Sequence, residues 1–421
     1  VCGSTSLKKV IDLGEQYLQG SFFKPGKEEP SLRKIACTLS RCDPTQDEHA
    51  CGLLQMEHSV PPSILYAAYW YRSGTNKTMR DHLRAIAVEA EKMAATNHKL
   101  KALDIGCNDG TLLRSYSGDV IKYGIDPSDV AQEVKDAIVI QDLFPSVRLN
   151  RMMKEDRFDI ITSIAMFYDL EDPVQFAKYI SAYLADDGVW ILEMSYMPLM
   201  LKMNSYDTIC HEHLEYYSLA VIETILKKAG LRAIRAETNN INGGSLRVYA
   251  AHEASTKFEN KEWFANLQKM RQDEFDMELD TDKPYKNFQD RINVHREALL
   301  SLLKDLKKQG KKIHIYGAST KGNTLLQWVG IDNRLVDVAA ERNPDKFGAR
   351  TLGTDIPIVS EQDSRSMKPD YYLALPWHFQ DEFLERERAT IESGVGFIFP
   401  LPEVRVVDKN VLENDSRFKK E

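Results

Sequence analysis

Twice along this chain an apolar strand runs into a glycine turn and on into an apolar helix. Ala102-Leu-Asp-Ile-Gly106 continues through Cys-Asn-Asp-Gly110 into Thr111 to Tyr116, and Lys312-Ile-His-Ile-Tyr316 continues through Gly317-Ala-Ser-Thr-Lys-Gly322 into Thr324-Leu-Leu326. Glycine lets the backbone turn tightly and lets a ligand come close, so such a junction is the entry turn of a parallel α/β sheet. Around the first junction the spacing predicts strands at Ala102–Ile105, Lys122–Ile125, Ile138–Ile140, Phe158–Ile164 and Val189–Leu192, alternating with helical stretches. A helix precedes them from Thr78 to Asn97, with Met79, Leu83, Ile86, Ala87 and Ala90 at helical spacing. Around the second junction, strands are predicted at Val336–Ala339, Tyr371–Leu375 and Gly396–Phe399. The expected fold class is therefore α/β, with two Rossmann-like, mostly parallel units whose sequences are not close enough to be copies.

A chain of 421 residues, 43% hydrophobic, has ample length for two or three cores. Three domains are expected: a loop-rich cysteine module over 1–75, the first α/β unit over 76–200, and the second over 201–421. The last includes a helical bridge at 253–310, with Trp263, Phe264, Leu267 and Met270 on one face. The 55 Lys and Arg against 63 Asp and Glu leave a net charge of −8, which disfavours nucleic acid as a partner. No apolar run approaches the ~20 residues that cross a bilayer, and Val1-Cys2-Gly3 leads into polar sequence rather than a secretory signal. A cytoplasmic protein is expected, without membrane partners, as a monomer or small homo-oligomer.

Four of the six cysteines, Cys2, Cys37, Cys42 and Cys51, crowd into the first module. A piece that small gains from a metal staple, and zinc takes four N or S ligands. Two ligand sets stay open. Val1-Cys2 looks like the second half of a Cys-x-x-Cys whose first cysteine precedes residue 1, giving Cys2, Cys42 and Cys51 as ligands; alternatively Cys37 completes the four. Free buried thiols are the remaining reading.

After the first glycine turn, one strand ends in Asp126 and the next is followed by Asp142. A carboxylate about 20 residues beyond the first glycine can accept hydrogen bonds from ribose hydroxyls, and Asp142 is placed to read an adenine amino group. The third glycine of a dinucleotide turn is missing and Asp109 repels phosphate. A nucleoside with a cationic or amino-acid end, such as S-adenosylmethionine, suits this set. In the second turn, Lys321 and free backbone N–H groups suit a diphosphate, with Asn343, Lys346, Pro376, Trp377 and His378 near later strand ends.

Between the two units, Tyr206-Asp-Thr-Ile-Cys-His-Glu-His213 places two of only 10 histidines within three positions. In an extended segment His211 and His213 share a face, and Glu212 can set the tautomer of an imidazole that accepts a proton. Metal binding is the rival reading, but the pair lacks the i, i+4 spacing of helical zinc proteases. The polar loop Asn239–Ser245 can approach the same site.

With these motifs in this order, the chain resembles the three-domain S-adenosylmethionine-dependent sugar C-methyltransferases of the mycarose and tetronitrose type, which act on nucleotide-linked deoxysugars. The resemblance runs nearly end to end. It rests on the cysteine module with Cys51-Gly-Leu-Leu-Gln55, on Tyr69-Trp-Tyr-Arg-Ser-Gly74 with Thr78-Met-Arg80, and on Asp104 to Gly110, Glu212-His213, Gly243-Gly244 and Gly317 to Gly322. It implies a zinc-binding N-terminal domain, a central S-adenosylmethionine domain, and a C-terminal domain that helps hold the sugar nucleotide. The reaction it implies is methylation at C3 of a 4-keto sugar through a base-formed enolate.

His213 matches the family's base and Glu212 its partner. Tyr69, Tyr71 and Arg72 match the segment that closes over cofactor and sugar. The resemblance adds Tyr71, Asn108, Gly110 and Ser163 to Asp104, Gly106, Asp126 and Asp142 as cofactor contacts, and implies Tyr69, Arg72, Asn242, Lys321, Asn343 and Trp377 as substrate contacts. Family members carry a tyrosine just before the His-Glu-His equivalent and a histidine near the Asp169 position, where this chain has Cys210 and Asp169. His211 or Asp169 is then expected to take the missing proton-handling role, unless the substrate needs less acid–base help. The alternatives are O-methylation of a sugar hydroxyl, which needs a base but no ketone, and a non-catalytic protein that keeps the fold.

Overall fold

In the computed structural model, residues 1–27, 30–65 and 71–414 are described. The N-terminal module is an antiparallel sheet of Leu7–Gln16, Ile35–Cys42 and Leu54–Met56, completed by a strand from far along the chain, Glu215–Tyr216. Its inward residues Ile11, Leu13, Leu39 and Leu54 share one continuous apolar core with the bridge helix and the C-terminal unit. A module this small cannot bury enough surface alone, and it borrows its neighbours' core.

The first α/β unit is a seven-stranded sheet. From one edge its strands run Ile138–Ile140, Ile121–Ile125, Lys101–Ile105, Phe158–Ile164, Leu184–Ser195, Ser245–His252 and Leu231–Asn239. The first five are parallel and the last two form an antiparallel hairpin that closes the sheet. The expected boundary at 200 thus falls inside this unit, because residues 231–252 supply its final strands. Strand–helix alternation does not reveal a terminal antiparallel hairpin. The expected helix spans Lys77–Ala94 and buries Met79, Leu83, Ile86, Ala87, Ala90 and Met93 on one stripe against Ala102, Ile160 and Val189. Full burial of such a Leu or Ile contributes roughly 1.5–3 kcal/mol.

The bridge consists of helices Lys261–Asp276 and Lys283–Lys308. In the second, Tyr285, Phe288, Ile292, His295, Leu299, Leu303 and Leu306 recur every three or four residues and are buried. Its start is fastened to the N-terminal module by the fully buried Arg41, whose guanidinium reaches Asp43 at 2.7 Å and Asp282 at 3.0 Å. In the first bridge helix Leu267 and Met270 are buried while Phe264 is exposed, so the expected apolar face is narrower.

The C-terminal sheet runs Ile358–Ser360, Ala339–Glu341, Ile313–Tyr316, Tyr371–Ala374, Gly396–Phe399 and Arg405–Val407, parallel except for the last pair. The strand expected at Val336–Ala339 lies at Ala339–Glu341, although Asp337 N–H and Val338 O already bond to the neighbouring strand at Ile313 O and Ile315 N–H, both at 2.9 Å. In both α/β units the strand entering the glycine turn lies where the strand order reverses, the place at which open α/β sheets bind ligands. Among the described residues no helix is long and apolar enough to cross a membrane.

Candidate active site

A cavity of about 270 Å³ lies between the two reversal points, and all three bodies line it. The N-terminal module gives Gly20 and Phe22, and the first α/β unit gives Tyr71, Arg72, Ala165 and Tyr168. Glu212, His213, Asn242, residues Gly317–Lys321, Glu341, Asn343, Lys346 and His378 complete the wall.

His213 sits at the end of a turn in which its own N–H donates to Cys210 O at 3.0 Å. The turn is pinned on three sides. Met56 N–H donates to Leu214 O at 2.8 Å, Leu214 N–H donates to Tyr168 O at 2.8 Å, and the Thr324 hydroxyl donates to Ile209 O at 3.2 Å. The imidazole Nδ1 lies 2.8 Å from Thr208 O, which can only accept, so Nδ1 carries the hydrogen and Nε2 keeps its lone pair. The ring packs against Tyr168 with centroids 4.1 Å apart.

Several expected roles change in this geometry. The turn replaces the extended segment, so His211 leaves the cavity; its ring nitrogens meet Gln19 Oε1 at 2.7 Å and Ile35 O at 3.1 Å. Glu212 does not set the tautomer of His213, because Thr208 O does. Its carboxyl lines the cavity against Gly20, where a Cβ would collide with it, and burial pushes it up to about 7 against the pull of Lys346. Asp169 is outside the cavity lining, near Cys210 and Tyr216, where its charge helps raise both groups behind the larger effect of burial. Trp377 also lies outside the lining; its indole N–H donates to Asp207 Oδ2 at 2.9 Å.

Lys321 is enclosed beside His213 rather than out over a phosphate, its ammonium donating to Asn242 O at 2.6 Å. Burial pulls its pKa down, opposed by Asp207. Arg72 bridges the units through Glu133 at 2.6 Å and Asp345 at 3.5 Å. The expected contact Tyr69 lies outside the described residues.

Along the edge of the first sheet, Gly106 and Gly110 adopt φ of 76° and 75°, as the turn requires. Asp104 is buried, accepts from Thr162 at 2.6 Å, and is pushed up to about 7 by burial and by Asp126. Asn108 and Asp109 strap the 71–74 segment onto the turn: Asn108 Oδ1 accepts Ser73 N–H at 3.0 Å and Asp109 Oδ2 accepts Gly74 N–H at 2.8 Å. Ser163 is held within the sheet, accepting from Trp190 at 3.2 Å, while Asp142 is exposed. Carboxylates with acceptor capacity suit the hydroxyl and amino donors of S-adenosylmethionine, and Asp126 and Asp142 are the candidates to hold it.

The sulfurs of Cys2, Cys42 and Cys51 lie within 4.8 Å of one another without a disulfide, Cys2 and Cys42 at 3.5 Å. An edge of roughly 3.8 Å is what a tetrahedron with Zn–S of about 2.3 Å has, so the donor set fits zinc as a structural staple. Cys37 is not part of it. It is buried in the apolar core, where its thiol accepts from Gln19 at 3.2 Å.

Three family models match in chain order: a candidate zinc binding domain over residues 1–66, a methyltransferase domain over 71–236, and a C-methyltransferase C-terminal domain over 240–402. C-methyltransferase NovU of Streptomyces niveus is 28% identical over 97% of this chain and 96% of its own length. Together the matches give the chain, in order, the domains of a C-methyltransferase. It is an S-adenosylmethionine-dependent methyltransferase. Two solved structures align at low scores that carry no inference. They are an S-adenosylmethionine-dependent methyltransferase from Clostridium acetobutylicum (15% identity, 41% of this chain and 90% of that one, TM-score 0.31) and magnesium protoporphyrin IX methyltransferase from Synechocystis (15%, 42% and 79%, 0.31).

In this C-methyltransferase, burial first and Lys321 second push His213 and His378 down to about 3. The folded pKa of His213 lies below the unfolded 6.5. Above pH 6.5 both states are neutral; below it the unfolded chain takes up a proton that the folded chain refuses, so stability is lost as the pH falls. Asp104, Glu212 and Glu215 are shifted the other way, but they are common to wild type and variant. Against wild type, His213→Gln is expected to gain about 2 kcal/mol in relative stability between pH 7 and pH 5. Urea melts at the two pH values check this, and a pH-independent difference rejects a neutral buried imidazole.

Tyr168 lines the site from a segment with no motif to announce it, while Thr208, within the Tyr206–His213 motif, gains its role only when folding turns its carbonyl onto His213.

Proposed function

We propose that this C-methyltransferase acts on a nucleotide-linked 4-keto deoxysugar and methylates C3 by base-assisted enolate formation. The observation that carries the reading is the pairing of a bare imidazole Nε2 on His213 with the enclosed ammonium of Lys321 in one cavity. Removing a proton beside a ketone needs a base at the carbon and positive charge at the oxygen. O-methylation needs the base alone.

Nε2 of His213 takes the C3 proton, and Thr208 O supports the imidazolium that results. Lys321 stabilises the oxygen on which charge develops. Tyr168 holds the plane of the imidazole, and the surrounding walls keep water from the carbanion. Arg72, Arg342, Lys346 and Arg386 line the cavity of a protein that is acidic as a whole, a local excess that supports a diphosphate-bearing substrate. When bound, S-adenosylmethionine supplies a methyl group activated on a sulfonium.

Incubation with S-adenosylmethionine and a panel of 4-keto-6-deoxy sugar nucleotides is expected to give a C-methyl product, with loss of deuterium placed at C3. Only O-methyl products would overturn the reading.

A further inference from the structure

The two α/β units share a device that sequence comparison between them does not reveal. At the first glycine turn, Asp126 ends the neighbouring strand and closes the turn. One of its oxygens accepts Asn108 N–H at 2.9 Å; the other accepts Ser128 N–H at 2.8 Å and the Ser128 hydroxyl at 2.5 Å. At the second turn Glu341 ends the neighbouring strand Ala339–Glu341, about 24 residues after Gly317. Its Oε2 accepts Ala318 N–H at 3.0 Å, and its Oε1 accepts Arg342 N–H at 2.7 Å and Asn343 N–H at 3.0 Å.

A carboxylate has about four lone-pair positions. In Glu341 three are filled by backbone, and one remains on Oε2 in a side chain that lines the cavity. Lys346, 3.9 Å from that oxygen, is committed to Ala318 O at 2.7 Å. A carboxylate repels phosphate and accepts from hydroxyls. The start of helix Thr320–Val329, capped by Ser319, faces the same cavity and is the place for the phosphates. In such sheets the acid that ends the second strand takes the ribose.

We propose that Glu341 binds a ribose hydroxyl of the substrate's nucleotide, with the diphosphate over the Gly317–Lys321 turn and the reacting sugar toward His213. The proposal rests on reading the cavity as a nucleotide-sugar site. It makes the C-terminal unit a nucleoside-binding fold in its own right, built on the same cradle as the cofactor unit.

The test is calorimetric titration of the full chain with ADP, GDP, CDP, UDP and TDP, then with the 2′,3′-dideoxy form of whichever binds. In the wild type the dideoxy form is expected to bind about tenfold more weakly, and in Glu341→Gln that ratio should shrink to less than about twofold. Affinity for S-adenosylhomocysteine should stay within twofold. If none of the five nucleotides binds, the nucleotide-sugar reading itself fails. Equal binding of the two forms by the wild type overturns the role of Glu341 while leaving that reading intact, and needs no variant to fold. Persistence of the tenfold ratio in Glu341→Gln overturns it as well.

Discussion

Replacing His213 by alanine is expected to lower kcat by about 10²–10⁴-fold, the usual contribution of a positioned general base. The imidazole is neutral at physiological pH because burial and Lys321 both disfavour its charged form. As a base it is weak in the resting site, and the same enclosure makes it effective in reaction. Once negative charge forms on the substrate, an imidazolium a few ångströms away is attracted to it through a medium that screens poorly. The substitution leaves Thr208 O with only the long bond from the Tyr216 hydroxyl at 3.5 Å, which costs about 1–3 kcal/mol of stability, so melting is measured alongside turnover. Cofactor affinity should change less than twofold, since Asp126 and the Gly106 turn sit on a separate sheet edge. Exchange of the C3 hydrogen with solvent should vanish with turnover. Near-normal turnover in His213→Ala rejects the assignment.

Replacing Cys42 by serine is expected to have an effect of similar size by another route. Bound structural zinc holds small domains with roughly 10–16 kcal/mol, comparable with the whole stability of an ordinary domain of about 5–15 kcal/mol. The variant should lose about one zinc per chain by metal analysis and become sensitive to protease within residues 1–56. The damage should not stop there. Strand Leu54–Met56 pairs with Glu215–Tyr216, and Met56 holds Leu214, the residue after His213. Turnover should therefore collapse while S-adenosylhomocysteine still binds the intact seven-stranded sheet. A Cys42→Ser protein purified with unchanged metal content and unchanged protease resistance refutes the zinc reading.

The strands and glycine turns were legible because each depends on neighbours in sequence: alternation of strand and helix, glycine where φ is positive, a stripe of apolar residues on Lys77–Ala94. Asp126 was expected at a strand end as a ribose acceptor, but its closing of the glycine turn through Asn108 N–H was not legible. What escaped was set by contacts between distant segments. The hairpin at 231–252 belongs to the first sheet only because Ala236, Leu246 and Val248 find its core. His211 and His213 part company because Cys210 O accepts the His213 N–H and bends the chain. The thiols show both outcomes, since Cys42 and Cys51 meet Cys2 while Cys37, on the same strand as Cys42, points into the apolar interior. Glu341 was passed over because the strand before it was placed too early.

The stretch from Tyr206 to Tyr217 has no sheet of its own, yet each of the three bodies grips it. Met56 N–H and the short strand pairing hold it from one side, Tyr168 O from a second, and Thr324 and Trp377 from the third. Anyone building chimaeras from such enzymes should expect this stretch to resist modular exchange. Grafting a foreign C-terminal domain at a linker, to recruit a new substrate, would leave His213 seated on mismatched supports. The unit that must travel together is the stretch with its three seats: residues near Met56, Tyr168 and Thr324, transplanted as a matched set.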